Sequence, residues 1–471
     1  MPVVAALDPQ SAVVQACYIA AFSLFIFGVR RGTHPTTAKQ GNLIAVAGMV
    51  IAIATTLALK GIGNWGLIAI GLVAGAVVGV VASRRVQMTA MPQMVALYNG
   101  VGGGAVALIA WAEFRHDISI GEAIPLDTFV PIMLSMVIGS VSFWGSNIAF
   151  GKLQGLIPGQ PWKVPGQQVI NALLLVGIVA ACIVLGIAHD SGPSQGLFIA
   201  VLIAAAILGN LFVLPIGGAD MPVVISLLNA FTGLSAAAAG IALDNVALIV
   251  AGTLVGSSGT ILTLAMATAM NRSVPNILFA GFGALPTGGA ATEERPVTSI
   301  GAQDAAIKLA YADSVVIVPG YGMAVAQAQH AVKEMANELE KRGVHVAYAI
   351  HPVAGRMPGH MNVLLAEADV PYEELKEMDE INPEMPHTDV AVVIGANDVT
   401  NPAAKNDPDS PIAGMPIIEV DEAHEVIVIK RSLSPGFAGI DNDLFYHDKT
   451  SMLFSDAKQA AADIAAETEN L

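Results

Sequence analysis

The 471-residue chain has few charged residues, few aromatic residues and almost no cysteine. Only 13% of its residues are charged and 6% are aromatic, whereas 54% are hydrophobic. This composition excludes an ordinary soluble globular protein and is typical of a membrane protein. The two cysteines, Cys17 and Cys182, both fall in apolar segments, so neither a disulfide framework nor a zinc site is indicated.

The charged residues are divided unevenly along the chain. Of the 38 acidic and 22 basic residues, only eight and ten lie in residues 1–272. The first part is therefore nearly neutral and apolar, whereas the second part is strongly acidic. An acidic domain repels nucleic acid, so no nucleic-acid partner is expected.

Nine apolar segments of the first part are each long enough to cross about 30 Å of hydrocarbon. They lie at residues 13–29, 42–59, 63–83, 93–112, 128–150, 168–188, 194–215, 221–243 and 246–269. Most basic residues of this part lie in the loops on the C-terminal side, which predicts a cytoplasmic second part. We therefore predict a transmembrane domain over residues 1–273, a linker over 274–301 and a cytoplasmic domain over 302–471.

Polar side chains recur within the predicted spans. They are Asn99, Ser142, Ser146, Asn147, Asn229, Thr232, Ser257 and Ser258. In a bilayer these groups must bond to one another or to water held between helices. Interhelical packing accounts for some of them, and a hydrated path accounts better for the set. Asp220 and Arg272 mark the cytoplasmic ends of two spans, where they either gate such a path or anchor the helices.

The second part begins with a buried strand, a glycine turn and a helix over residues 315–329. Gly320 and Gly322 fit a turn at which backbone N–H groups approach a pyrophosphate. The third fingerprint position is Val325, so a plain strand-to-helix turn remains open from the pattern alone. An apolar stripe from Val325 to Leu339 predicts one helix after the turn. Further strands are predicted at residues 344–350, 389–394, 415–420 and 425–430, which indicates a doubly wound parallel sheet.

The strand ends of this sheet favour NADP over NAD. The second strand runs into His351 and Pro352 and lacks the carboxylate that an NAD-type site places on the ribose. Lys430, Arg431 and Ser432 follow a predicted strand and suit a 2′-phosphate, although a solvated basic pair is the alternative. Asp398 follows another strand, where it either forms a turn or senses protonation beside the nucleotide.

Several long motifs, in one order along essentially the whole chain, resemble the β subunit of proton-translocating NAD(P) transhydrogenase. In the second part they are Gly320 to Gln329, His351 to Asn362, Gly395 to Pro402, Lys430 to Ser432 and Gly436 to Gly439. In the membrane part they are Gly217 to Pro222, Val255 to Gly259 and Met270 to Ser273.

The resemblance implies a helical membrane domain of about nine spans followed by a Rossmann-like domain that binds NADP(H). It implies hydride transfer between NADH on a separate α subunit and NADP⁺ held here, coupled to proton translocation across the membrane. The α subunit would bind NAD(H) and supply the remaining membrane helices. The expected assembly is a dimer of αβ units in the lipid of a bacterial inner membrane, and no metal is implied.

The resemblance also implies which residues form the sites. Those expected at NADP(H) are Gly320, Tyr321, Gly322, Met323, Val353, Ala354, Gly355, Arg356, Met357, Pro358, Gly395, Ala396, Asn397, Asp398, Val399, Lys430, Arg431, Ser432, Gly436 and Phe437. Asp398 would lie near the nicotinamide as the candidate catalytic residue, and Gly436 to Gly439 would form a lid. The proton path, by contrast, is expected from the polar residues of the spans themselves and contains Asn99, Ser146, Asp220, Asn229 and Arg272.

Two positions depart from the family pattern. The lid carries Phe437 where the family usually has tyrosine, which removes a hydroxyl. Asn99 stands where some bacterial relatives have histidine, so no histidine of this chain is named as the proton carrier.

An alternative function is a secondary transporter whose cytoplasmic domain senses NADP(H). A flavin or haem reductase is a third interpretation, and haem is disfavoured because no predicted span carries a histidine ligand. Copurification of an NAD-binding subunit would distinguish the enzyme from the sensor.

Overall fold

The computed structural model describes two very different parts, an apolar helical bundle and an α/β domain. The described residues are 11–60, 62–87, 90–120, 124–158, 161–162, 164–188, 194–217, 220–270, 273–279, 295–357, 359–408, 410, 412–436 and 438–471.

Nine helices of the described part are long and apolar enough to cross a membrane, which confirms the predicted multi-span architecture. They are α1 (Ala12–Gly32), α2 (Pro35–Leu57), α3 (Trp65–Arg85), α4 (Met91–Ile120), α5 (Leu126–Leu153), α6 (Gln167–Ile187), α7 (Gln195–Val213), α8 (Met221–Ala242) and α9 (Val246–Ala269). Helix α4 extends about two turns beyond the predicted span of residues 93–112. Helices α5 and α8 form the centre, because 50% and 61% of their most apolar segments are buried, against none for α3.

Glycines bring the central helices together. A Cβ atom at Gly103 of α4 would lie 2.9 Å from the carbonyl oxygen of Gly139 in α5, and one at Gly139 would lie 2.7 Å from that of Gly103. In the same way, a Cβ atom at Gly233 of α8 would collide with the backbone of Gly256 in α9. Lipid tails are as apolar as leucine, so helices in a bilayer associate largely through such close backbone contact.

The segment predicted as a linker contains regular structure at both ends. Helix α10 (Val274–Phe279) follows α9, and the short strand β1 (Thr298–Ser299) enters the sheet of the second domain. Residues 280–294 lie outside the described part of the chain. The domain boundaries at residues 273 and 301 remain predictions.

The second domain is built on a parallel sheet, as the sequence predicts. The strands after β1 are β2 (Ser314–Pro319), β3 (His345–Ile350), β4 (Leu375–Glu377), β5 (Val390–Ile394), β6 (Glu425–Lys430) and β7 (Thr450–Phe454). Their order across the sheet is β1-β7-β6-β5-β2-β3-β4, and every pair is parallel. The central strands are continuous apolar runs because helices cover both faces of the sheet.

The helices of this domain are α11 (Ala302–Ala310), α12 (Tyr321–Ala326), α13 (Gln329–Lys341), α14 (His360–Glu367), α15 (Met378–Ile381), α16 (Ala403–Asn406) and α17 (Ala457–Asn470). Helices α11, α13, α14 and α17 bury their apolar faces against one side of the sheet. Shorter elements cover the other side, including a 3₁₀ turn at Asp443–Tyr446 whose Leu444 and Phe445 are buried.

Two details of the sequence prediction are wrong. The segment 415–420 contains no strand, and its second residue is Pro416, whose missing N–H cannot join a ladder. The helix predicted from Val325 to Leu339 is broken, because Gln327 adopts a left-handed backbone with φ of 50° and separates α12 from α13. The apolar stripe continues across that break, which is why periodicity alone did not reveal it.

Candidate functional site

The turns after β2 and β5 meet at the carboxyl edge of the sheet. The N–H of Gly320 donates to the carbonyl of Ile394 at 2.8 Å, and the N–H of Gly322 donates to that of Gly395 at 2.8 Å. A Cβ atom at Gly322 would lie 2.7 Å from Cα of Gly395, so the two turns need glycine to approach this closely. These two amides bond within the protein, which differs from the expectation that they face a pyrophosphate.

The loop after β3 is ordered by His351. Its Nδ1 accepts from the N–H of Val353 at 3.2 Å, so Nε2 carries the proton and donates to the carbonyl of Pro416 at 2.8 Å. The imidazole is 2% exposed, and this burial lowers the pKa of His351. His351 is therefore neutral at neutral pH and holds the loop to the segment around residue 416.

A second buried histidine supports the same loop. His360 Nδ1 accepts from the N–H of Arg356 at 3.0 Å, and His360 is 1% exposed. Burial, and then the charge of Arg356, lower the pKa of His360 to about 4. Gly355 has a φ of 105°, and a Cβ atom there would collide with the imidazole. The neutral ring thus fixes Gly355 and Arg356 in one backbone conformation.

Arg356 links the carboxyl edge of the sheet to the helical bundle. Its guanidinium carbon lies 4.4 Å from the ring centre of Tyr321, and its Nη1 donates to the carbonyl of Leu153, at the end of α5, at 2.9 Å. Burial raises the pKa of Tyr321, opposed by the charge of Arg356. A second contact between the domains runs from Gln327 Nε2 to Gln87 Oε1 at 3.2 Å.

The turn after β5 is tied to the predicted lid and to the segment that follows it. Asp398 Oδ2 accepts from the N–H of Ala438 at 3.0 Å. Asn442, which is fully buried, donates through Nδ2 to the carbonyl of Asn397 at 3.0 Å. Asn401, also fully buried, donates to the carbonyl of Asp441 at 2.9 Å. The predicted catalytic residue Asp398 therefore lies against the described part of the lid segment.

The basic motif at the end of β6 divides into an inner and an outer group. Lys430 Nζ donates to the carbonyl of Ser434 and lies 4.9 Å from the ring centre of Phe445. Burial lowers the pKa of Lys430, opposed by the carboxylates of Asp398 and Asp441. The side chains of Arg431 and Ser432 are exposed. Arg431 and Ser432 are therefore the most exposed members of this motif, whereas Lys430 is half-buried.

Some predicted residues contribute only backbone to this edge or lie outside the described chain. Met323 and Ala396 are 0% and 3% exposed and belong to the two cores that flank the sheet. Pro358 and Phe437 are not among the described residues. A separate cavity of about 510 Å³ is lined by Asp379, Lys405 and Glu419, among others, and by none of the predicted nucleotide residues.

Three central helices of the membrane domain bring a polar cluster together. Asn99 of α4 donates to Ser146 Oγ of α5 at 2.9 Å and to Ser142 Oγ at 3.4 Å. Ser142 Oγ lies 2.6 Å from Thr232 Oγ1 of α8 and donates to the carbonyl of Leu228 at 2.9 Å. Asn99 is 9% exposed, and its Oδ1 has no hydrogen-bond partner within the described structure. One strong acceptor therefore remains inside the bundle, where it can bind water.

The other residues predicted for the proton path lie around this cluster or outside it. Asn229 is half-buried on α8, beside Leu228. Asp220 immediately precedes α8, at the position of its N-cap. Ser257 and Ser258 are exposed on α9 and do not join the cluster. Arg272 lies outside the described residues.

Sequence reasoning gave no role to two polar residues near the end of α5. Lys152 is 5% exposed, and its Nζ donates to the carbonyls of Leu214 and Ile216 at 2.5 and 2.8 Å, where α7 ends. Gln93 Nε2 donates to the carbonyl of Leu153 at 3.4 Å. The carbonyl of Leu153 therefore accepts from both Gln93 of α4 and Arg356 of the α/β domain. The available signal was a lysine two residues after the end of the predicted span 128–150.

The family of the chain follows from comparison with known proteins. The family model for the NAD(P) transhydrogenase beta subunit matches residues 14–467. The chain belongs to that family. Two NAD(P) transhydrogenase beta subunits are similar to this chain, one from Rhodospirillum rubrum and one from a named strain of that species. Each is 48% identical to this chain over 456 residues, which cover 95% of this chain and 97% of the relative.

Membership of the transhydrogenase β-subunit family confirms the family predicted from the motifs. It confirms an oxidoreductase and translocase function for the chain, in a protein that contains both a helical bundle and a parallel-sheet domain. The family handles NAD(H) and NADP(H), and a β subunit implies an α subunit as partner.

Proposed function

We propose that this chain holds NADP(H) at the carboxyl edge of its sheet, while an α subunit presents NAD(H) to it. The single observation that carries this proposal is the convergence of four segments at one edge: the Gly320 turn, the Arg356 loop, the Asp398 turn and the end of β6 at Lys430. Parallel α/β sheets bind ligands at that edge. Hydride then passes directly between the two nicotinamides, and the protein supplies position.

The preference for NADP(H) rests on charge at two strand ends. Strand β3 ends beside His351, which is buried and neutral and bonded to Pro416, so no carboxylate is offered there to a ribose hydroxyl. Beyond β6, the exposed Arg431 and Ser432 offer a guanidinium and a hydroxyl. That pair suits a 2′-phosphate, which NAD(H) lacks.

The proton path of this proposal runs through the polar cluster of α4, α5 and α8. Asn99, Ser142, Ser146 and Thr232 bond to one another across three helices and leave one acceptor open for water. Such groups hold a water chain but do not store a proton at neutral pH. We therefore assign the titrating group to Asp220 at the cytoplasmic mouth or to the α subunit, with Asn229 and Arg272 along the route.

In this proposal, Arg356 couples NADP(H) binding to proton translocation. Its guanidinium bonds to the carbonyl that ends α5, and α5 also carries Ser142 and Ser146 of the cluster. A nucleotide phosphate is a stronger partner for a guanidinium than a carbonyl is. Binding of NADP(H) would thus draw Arg356 away from α5.

The assembly is a dimer of αβ units in the lipid of the bacterial inner membrane, with the α/β domain in the cytoplasm.

The test uses the chain coexpressed with its α subunit and reconstituted in sealed vesicles. We expect the α subunit to copurify, and reduction of NAD⁺ by NADPH to drive proton movement that a pH-sensitive dye reports. Asn99→Leu removes both the open acceptor and the bonds to Ser142 and Ser146, so proton movement should stop while NADPH still binds.

The matched control is Asn171→Leu, which changes a half-buried asparagine on α6, away from the cluster. It should pump as the unaltered protein does. Pumping that survives Asn99→Leu would mean that the cluster only packs helices.

A further inference from the structure

Arg295 is the first described residue after the segment 280–294, and it is bonded to two carboxylates. Its Nη1 lies 2.8 Å from Asp443 Oδ1, and its Nη2 lies 3.1 Å from Asp441 Oδ2. The guanidinium carbon also lies 3.8 Å from the ring centre of Tyr446, whose hydroxyl donates to Asp441 Oδ2 at 2.8 Å. A single exposed ion pair contributes little, but a planar guanidinium shared by two carboxylates and a ring forms a network.

The 3₁₀ turn Asp443–Tyr446 connects this network to Lys430. Phe445 of the turn lies under the ammonium of Lys430, and the next residue, Tyr446, lies under the guanidinium of Arg295. One short turn therefore presents adjacent rings to two different cations. Displacing the turn would displace the surface on which Lys430 rests.

The positive charge of Arg295 also changes the electrostatics beside the proposed nucleotide site. Asn442, next to Asp441, is bonded to the turn of Asn397 and Asp398, so Asp441 and Asp443 stand beside the edge assigned to the nucleotide. NADP(H) carries a pyrophosphate and a 2′-phosphate, which nearby carboxylates repel. When Asp441 is paired with Arg295, it also competes less with the nucleotide phosphates for the ammonium of Lys430.

We propose that Arg295 is a positioning residue for NADP(H): it fixes the Asp443–Tyr446 turn under Lys430 and offsets one of the two negative charges of Asp441 and Asp443 beside the nucleotide. The inference rests on the proposed nucleotide site and adds to it a residue that does not touch the nucleotide. Arg295 acts through its neighbours, so its removal affects the more highly charged nucleotide and not the chemistry of hydride transfer.

The test compares Arg295→Ala with the unaltered chain in the complete αβ enzyme. We expect KM for NADPH to rise about three- to tenfold, in keeping with the loss of two partly exposed ion pairs and one ring contact. The KM for the nucleotide on the α subunit, and kcat at saturating NADPH, should stay unchanged. Added salt should narrow the difference because it screens the exposed carboxylates.

Second-site variants separate charge from folding. Arg295→Ala combined with Asp441→Asn should recover much of the NADPH affinity, and Arg295→Lys should lie between Arg295→Ala and the unaltered chain. Arg342→Ala, at an exposed arginine that ends α13, is the matched control and should change nothing.

Two results would overturn the inference. One is an unchanged KM for NADPH in Arg295→Ala together with a lower melting temperature, which would make the network purely structural. The other is no recovery when Asp441→Asn is added. Neither result would affect the assignment of Arg431 to the 2′-phosphate, because that assignment is tested with Arg431→Ala.

Discussion

Lys430 and Arg431 are adjacent in the sequence, yet the fold gives them different surroundings. Lys430 is the last residue of β6, whereas Arg431 already lies beyond the strand. Lys430 turns inward to Ser434 and Phe445, whereas Arg431 is exposed. The sequence predicts a basic phosphate site here but does not predict which cation is exposed.

The two variants at this motif should therefore differ. Arg431→Ala removes a charge-assisted contact worth about 1.5–3 kcal/mol, so NADP binding should weaken more than about tenfold. Lys430→Ala should weaken it less, because Lys430 must first leave Ser434. Binding is measured by calorimetry on the αβ enzyme, in which NAD binds to the α subunit and its affinity should be unchanged in both variants. Equal losses for NAD and NADP would refute the 2′-phosphate assignment.

Asp398 shows a limit of sequence reasoning at the same scale. The motif identifies it as a carboxylate after a strand, which is compatible with a turn former or with a proton sensor. The structure adds that Oδ2 accepts from the N–H of Ala438, forty residues along the chain. Such a contact depends on the whole sheet being assembled, so no local pattern could reveal it.

At the scale of elements, glycine spacing determines which helices touch. Gly233 of α8 meets the backbone of α9, whereas Gly75 of α3 has no other heavy atom within 4 Å of the position a Cβ would take. Both are glycines in predicted spans, and their sequence contexts alone do not separate them. Their substitution by alanine provides a matched pair.

Gly233→Ala should separate α8 from α9 and cost about 1–3 kcal/mol, as overpacking does, whereas Gly75→Ala should be neutral or slightly stabilising. The readout is the thermal unfolding temperature of the purified αβ complex in detergent. An equal effect of the two substitutions would show that α8 and α9 do not pack through their glycines.

The elements themselves were largely predictable, for a physical reason that differs between the domains. A bilayer demands about twenty apolar residues per span, so the nine helices follow from hydropathy. The central strands β2, β5 and β6 are buried on both faces, so they also appear as apolar runs. The polar edge strand β4 has no such run, and the apolar segment 415–420 is buried as irregular chain around Pro416. Hydrophobicity reports burial, not conformation.

At the scale of the whole molecule, the two domains touch between the carboxyl edge of the sheet and the ends of α3 and α5. Arg356 of the nucleotide edge reaches Leu153 of α5, and Gln327 reaches Gln87, which follows α3. Neither contact has a signal in the sequence, because the partners are about 200 residues apart or more and each lies in a polar loop or at a helix end. If NADP(H) binds at this edge as proposed, the contact would supply a physical route by which its binding alters the helical bundle.

The last prediction concerns this contact. If NADP(H) draws Arg356 away from the Leu153 carbonyl, the loop and the helix end should separate, and with them Gln327 and Gln87. A pair of cysteines at these two positions, in a chain with Cys17 and Cys182 replaced by alanine, should react with a short thiol crosslinker in the absence of nucleotide. Added NADP⁺ should slow that reaction, and added NAD⁺ alone should not.

Arg356→Ala should lower the crosslinking rate without nucleotide and remove its dependence on NADP⁺, because the bond that responds to the nucleotide is gone. Chains with only one of the two cysteines control for reaction between copies. A crosslinking rate that stays the same with and without NADP⁺, in a chain that binds NADP⁺ normally, would mean that the two domains do not separate at this contact.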